Sequence, residues 1–422
     1  MLRTSTKLIA ATAVIALAAA ACGSSKKTPT TSGTNTGAPS AASTSGATGG
    51  GKALKIGLLT DVTGLAASGE AHIQDGLKAG IAEAAKDGYN ITYVVGDSAT
   101  SPATVLSAAK KLVEQEHVDV IVGSSAVLFG AAQYLGTKGI PVVGFPQDGP
   151  EWLKAPNMFS IEGKLDTTKV TTLSGQFFKD QGATTVGALG YSISPTSAES
   201  AKAAGVSAEA VGLKSGYINS KFPFGSTDVQ PVALAMQKAG VDAVSPSVDP
   251  NTSFALIGAL KTLGVNVKAT LLPIGYGGDL LEAGAATLKA ADGVFFGIAF
   301  APIELNTAGT QRFLAALKGV GGTQAPGLPT YTGYTSILLL LEGLKNVTGD
   351  LTSANIIAGL NKVHSFDAGG LLDKPFDPAD LNNVAGPNNC LYVVQLKNDK
   401  FNIVPKADPV CGTVIAGKTI SP

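Results

Sequence analysis

Apolar residues along the chain fall into short continuous runs that alternate with stretches repeating at helical spacing. Leu54 to Thr60 (LKIGLLT) is a run of the length and character of a buried strand, and Glu70 to Lys86 places Ile73, Leu77, Ile81, Ala84 and Ala85 on one helical face. The alternation continues through strand Ile91 to Val95, a helix from about Pro102 to Glu116, strand Asp119 to Val122, a helix from about Val127 to Thr137, and strand Pro141 to Val143. A second set follows: strand Thr185 to Leu189, helix Ala198 to Ala210, strand Ser215 to Ile218, helix Val229 to Ala239, strand Ala243 to Pro246, helix Thr252 to Leu263 and strand Lys268 to Leu272. Strand and helix in strict alternation predict parallel sheets covered on both faces, so the fold class is α/β with two doubly wound parallel-sheet lobes. A length of 422 residues agrees with two domains. Near the end, Leu391 to Leu396 and Phe401 to Val404 flank a turn and predict a hairpin.

The N-terminus follows another pattern. Arg3 and Lys7 precede an apolar stretch of 14 residues, 8 to 21, which ends at Cys22. A membrane-spanning helix needs about 20 residues, so the stretch is too short to span and suits a secretory signal. Ala19, Ala20 and Ala21 before Cys22 resemble a bacterial lipobox, although Ala19 stands where Leu is commoner. The resemblance implies cleavage after residue 21, lipid on Cys22, and an extracytoplasmic protein anchored to the cell membrane by that lipid alone. Residues 23 to 52 carry no aromatic or large aliphatic side chain, so they are expected to form a tether. A coil of that length spans roughly 30 Å.

Composition then removes several function classes. Thirty-one basic and 31 acidic residues balance, which argues against a nucleic-acid partner. With 3 His and no CxxC or HExxH motif, no metal site or cofactor is expected. No GxSxG elbow occurs, and the nearest sequence, Gly190 to Ser194, has no His close by, so the chain is not expected to be an enzyme. In an open parallel sheet, ligands bind beyond the carboxyl ends of the strands. The loops there supply the candidate ligand contacts Leu65, Ala66, Ser125, Ala126, Val127, Gln147, Asp148, Tyr191, Ser192, Asp249 and Tyr276. In an exported chain with Cys22 lipidated, Cys390 and Cys411 remain and are expected to pair as a disulfide.

Three segments carry a family resemblance. KIGLLTDVTGLAASGEAHIQDGLKAGI, DVIVGSSAVLFGAAQYLGTKGIPVVGF, and AADGVFFGIAFAPIELNTAGTQRFLAAL with YTGYTSILLLLEGLKNV resemble, in order, extracytoplasmic solute-binding proteins of the branched-chain amino acid type, the type I periplasmic binding proteins. The resemblance covers residues 54 to about 400. It implies two lobes joined by three hinge crossovers, closing over a small-molecule solute that is delivered to ABC permease subunits by a monomer. Lobe one would comprise residues 53–161 and 299–386, and lobe two 162–298 and 387–415. Hinges would fall at Ser160 to Gly163, Ile298 to Pro302 and Gly386 to Asn389. A sensor that passes ligand information to a membrane partner, or an exported enzyme, would be the alternatives.

Carried over to this chain, the family's pocket changes character. The positions that match its carboxylate-holding hydroxyls are Val127 and Asp148, and no acid stands within Ile274 to Tyr276 to hold an ammonium. A standard branched-chain amino acid is therefore not the expected solute. Tyr191 and Tyr276 would offer flat apolar walls, and Asp148 and Asp249 would accept from hydroxyls, amides or an amine. Each acid has an alternative reading: Asp148 as part of a turn and Asp249 as a helix cap.

Overall fold

The apolar runs become strands and the helical repeats become the helices that cover them. The computed structural model describes residues 51–147, 149–384 and 389–421. All of these fall within the compact unit Ala41–Pro422; the signal segment, Cys22, Asp148 and Gly386 lie outside the described residues. Strands β1 (Lys52–Thr60), β2 (Tyr89–Asp97), β3 (Val120–Ser124), β4 (Val142–Gly144) and β5 (Met158–Ser160) form one parallel sheet in the order β2-β1-β3-β4-β5. Helices α1 (Ile73–Lys86), α2 (Pro102–Glu114), α3 (Phe129–Lys138) and α4 (Glu151–Lys154) connect them.

After β6 (Lys169–Thr171), which stands apart from both large sheets, and α5 (Leu173–Asp180), a second sheet follows with β7 (Thr185–Tyr191), α6 (Pro195–Ala210), β8 (Lys214–Phe222), α7 (Gln230–Lys238), β9 (Ala243–Ser247), α8 (Pro250–Thr262), β10 (Ala269–Leu272), α9 (Gly278–Leu281), α10 (Ala285–Ala291) and β11 (Phe295–Ile298). The chain then runs through α11 (Ala308–Gly319), α12 (Leu328–Lys345) and α13 (Ser353–Leu360) before returning as β12 (Cys390–Lys397), β13 (Lys400–Ile403), β14 (Val410–Cys411) and β15 (Val414–Thr419). The sheet order is β13-β12-β11-β10-β9-β7-β8, parallel from β8 to β11 and antiparallel where β12 and β13 join; β14 pairs with β12 and β15 with β6. The fold is α/β with parallel-dominated sheets.

Three helices start with one device. Ser101, Ser194 and Asp249 cap α2, α6 and α8, each followed by Pro in the first turn. Their side chains accept from Thr104 N at 3.5 Å, Ser197 N at 3.1 Å, and Asn251 N at 2.9 Å with Thr252 N at 3.1 Å. A short acceptor followed by a preset φ stops the strand and turns the chain into a helix within two residues. Hence α6 begins at Pro195 and α8 at Pro250, earlier than apolar spacing alone predicts. In contrast, α1 begins late at Ile73, because Ala67–Glu70 form a 3-10 turn and His72 takes a left-handed φ of 61°. The His72 ring lies between Asp75 (3.2 Å) and Glu282 (2.9 Å).

Helix α12 is apolar on every side (LPTYTGYTSILLLLEGLK) and is buried along almost its whole length, as a helix without a polar stripe must be. It packs on α1, on α13 and on the central strands β3 and β4. Among the described residues, no helix is long and apolar enough to cross a membrane. Cys390 and Cys411 face one another across the β12–β14 pair and form a disulfide. Closing a loop of that sequence separation, 21, contributes roughly 3 kcal/mol in the chain-entropy treatment.

Candidate functional site

The carboxyl ends of the two sheets point into a common cleft. From the first sheet come Ala126 and Val127 after β3 and Phe145 to Gln147 after β4; from the second come Tyr191, Ile193, Ser194 and Thr196 at the end of β7, Ser247 to Pro250 at the end of β9, and Pro273 with Ile274 after β10. Together they enclose a cavity of about 320 Å³. A second cavity of about 270 Å³ continues from it, sharing Phe145, Glu162, Thr167, Ser200 and Ser247. The apolar part of the wall is Val127, Phe145, Tyr191, Ile193 and Phe224, with Tyr191 and Phe224 edge to face at 5.0 Å between ring centroids. Among the described residues, the 320 Å³ cavity is lined by no Lys, Arg or His, and no cluster of side chains is able to hold a metal ion.

Of the residues singled out from sequence, Ala66, Ala126, Val127, Gln147, Tyr191 and Asp249 line this cavity together. Asp249 lines the cavity and caps a helix at once. It caps α8, yet its other oxygen accepts from Thr252 Oγ1 at 2.5 Å and from the Tyr191 hydroxyl, which ties the ring to the cavity wall. Burial, and then this bond to Asp249, push the Tyr191 hydroxyl well above the usual tyrosine range. Gln147 contributes a side-chain oxygen that is buried without a hydrogen-bond partner among the described residues.

The remaining candidates stand elsewhere. Tyr276 does not line the cavity; its ring packs on Phe401 at 4.9 Å and its hydroxyl donates to Glu304 at 2.6 Å. The cause is local: Gly275 and Gly277 flank it at φ of 97° and 79°, and this turn carries the ring into the core and leaves Ile274 at the cavity. Leu65 is exposed, and an added Cβ on Gly225 would come within 2.8 Å of its Cδ1, so the side chain reaches from the loop after β1 to the loop after β8. Ser192 is exposed, with its N–H donating to Phe222 O at 3.0 Å. Asp148 lies outside the described residues.

Ser125 is committed to a residue that sequence reading passed over. Its hydroxyl donates to Asp61 at 2.7 Å, Ala126 N donates to the same carboxylate at 2.8 Å, and the Ser98 hydroxyl completes the set. Val127 N and Leu128 N are also engaged, by Ser125 Oγ at 3.2 Å and Ser125 O at 3.2 Å. An internal carboxylate thus occupies the donors at the start of the α3 segment. Burial raises the Asp61 carboxyl above its usual range, against the hydrogen bonds that lower it.

Glu162 is the second residue that was missed. It follows β5, is 9% exposed and lines both cavities, and while its backbone N–H and C=O are bonded to Ser160 and Asn383, its carboxylate meets no donor among the described residues. Burial alone pushes it up to about 7. One acid in the apolar segment MFSIEG is the signal that could have found it.

The family model of periplasmic binding proteins matches residues 53–400. Among solved structures, the chain is similar to a solute-binding protein of an ABC transporter from R. palustris in complex with benzoate, at 19% identity and a TM-score of 0.70, covering 87% of this chain and 99% of that one. It is also similar to a leucine-binding protein from Thermotoga maritima (16% identity, TM-score 0.69, 83% and 97% covered). A third is the branched-chain amino acid transporter substrate-binding protein from Streptococcus pneumoniae in complex with isoleucine (20% identity, TM-score 0.67, 86% and 99% covered). At these identities the likeness is one of fold. No curated protein matches the sequence significantly.

Proposed function

Because the chain belongs to the periplasmic binding protein family, whose model spans residues 53–400, we propose that it captures a small solute between two lobes and delivers it to the membrane subunits of an ABC importer. It is a binding protein, not an enzyme, and it works outside the cytoplasm. The observation that carries the reading is the cavity between the carboxyl ends of two parallel sheets, where the doubly wound fold places its ligand. The solved relatives named above include proteins that bind benzoate and isoleucine, which supports a small organic solute.

The lobes of this proposal are residues 53–161 with 299–386, and 162–298 with 387–415. All strands of the first sheet lie between residues 52 and 160, and β7 to β11 lie between 185 and 298, which supports the division. The hinges of this proposal are Ser160 to Gly163 and Ile298 to Pro302, where a few residues absorb the dihedral change of closure; the third, at Gly386 to Asn389, falls largely outside the described residues. Capture by such a clamp contracts the protein, and X-ray scattering reads that contraction.

The proposal includes a monomer tethered by lipid on Cys22, supported by the basic, apolar and small-residue segments that end there. Cys22→Ser is expected to move the protein from the membrane fraction to the soluble one while leaving its melting temperature unchanged, since the tether adds nothing to the core. A Ser variant that still sediments with membranes refutes the anchor.

A further inference from the structure

We propose that the cleft selects a solute with a protonated nitrogen on a ring-sized apolar body, and that the Glu162 carboxylate and the Gln147 side-chain oxygen receive that nitrogen. The inference rests on the cleft being the solute site.

Gln147, whose side-chain oxygen is buried without a partner among the described residues, and Glu162, whose carboxylate meets no hydrogen-bond donor there, both line this cavity, and no cation lines it among the described residues. Glu162 and Gln147 therefore lack what a donor-rich ligand supplies. A buried acceptor left unpaired is costly, and one that meets an ammonium regains a charge-assisted hydrogen bond. A carboxylate solute meets the opposite conditions. The N–H groups of Ala126, Val127 and Leu128 are already engaged, and those that open α8 belong to Asp249. The ring-sized body follows from the walls, since Val127, Phe145, Tyr191 and Phe224 present apolar and aromatic surface.

The other charged groups near Glu162 are already occupied. Lys169, which lines the adjoining cavity, is held by Leu381 O at 3.1 Å and Asp166 at 3.7 Å. Lys164, on the same segment as Glu162, reaches Met158 O at 3.3 Å and Trp152 O at 3.4 Å. Glu199 of α6 accepts from Thr167, and Asp249 from Tyr191 and Thr252. Without solute, burial holds Glu162 protonated up to about pH 7. A bound ammonium stabilises the ionised form, so binding releases a proton below that pH, and affinity falls as pH drops from 8 towards 5.5, by at most about tenfold per unit.

The test uses defined probes on the full chain. Phenethylamine, benzylamine and tyramine are compared with benzoate, 3-phenylpropionate and leucine by calorimetry at pH 8 and pH 5.5. At least one amine is expected to bind, more weakly at pH 5.5, while the carboxylates and leucine stay silent. Glu162→Gln is expected to weaken the amine at least tenfold at pH 8 and to remove the pH dependence, while its melting at pH 4, where the Glu162 carboxyl is protonated in the folded and mostly in the unfolded chain, matches that of the parent. Amine binding that survives Glu162→Gln unchanged overturns the inference. Silence from every amine overturns it too; carboxylate binding alongside leaves the solute-binding reading standing, and silence from both sets counts against that reading as well.

Discussion

Gly76→Val is expected to lower stability by roughly 3–5 kcal/mol, while Gly258→Ala leaves it unchanged or raises it by about 0.5 kcal/mol. Gly76 lies where α1 crosses α12, and a Cβ there would come within 1.9 Å of Thr330 O and 3.0 Å of Tyr334 N. Both are backbone atoms of a helix buried on every side, so no rotamer change relieves the clash and the helices must separate. The contact is reciprocal, since a Cβ on Gly333 would meet Ile73 O at 2.3 Å. Separation would open the core cluster in which Ile73, Leu77, Tyr331, Tyr334 and Ile337 are buried together. Gly258, within α8, has nothing within 4 Å of an added Cβ, so only helix propensity acts there. Urea denaturation checks both variants, and a Gly76→Val protein as stable as its parent would refute the close crossing.

The second large effect is a pH dependence carried by Glu162. Relative to Glu162→Gln, the ligand-free parent is expected to lose roughly 3 kcal/mol of stability between about pH 4.5 and pH 8. The sign follows from the direction of the shift. Burial raises the folded-state value from 4.5 to about 7, so the folded protein binds the proton more tightly than the unfolded chain does. The stabilisation is complete below about pH 4.5 and is lost as pH rises through the folded value. Glu304, Glu151 and Asp61 are also raised by burial and act in the same direction, while Glu83, Asp97 and Asp242 are lowered and act in the opposite one. The difference between parent and variant isolates Glu162. Parallel stability curves for the two proteins across this range would show that its carboxyl is not buried as described.

The regular elements were legible because each carries its own local signal. Continuous apolar runs gave β1, β3, β7 and β10, and Pro102 marked the start of α2, whereas apolar spacing placed the starts of α6 and α8 at Ala198 and Thr252, past the caps Ser194-Pro195 and Asp249-Pro250 that in fact open them. The three-residue strands β5 and β6 have too few positions to show a period, and β15 is mostly exposed. Within the site, Val127, Gln147, Tyr191 and Asp249 could be found because each follows a strand end directly. Asp61 and Ser125 could not be joined from sequence, because their bond links positions 64 residues apart. Tyr276 looked equivalent to Tyr191 until the backbone of Gly275 and Gly277 turned it away. Glu162 lies between β5 and β6, where neither strand nor helix periodicity marks a side chain as inward-facing.

X-ray scattering on the protein with and without a saturating solute, its binding first confirmed by calorimetry, tests the two-lobe clamp most directly. The expected result is a smaller radius of gyration in the bound state, with the same solute raising stability by about 2.7 kcal/mol at a hundredfold excess over Kd. Identical scattering curves for the free and fully bound protein would contradict closure over the cleft.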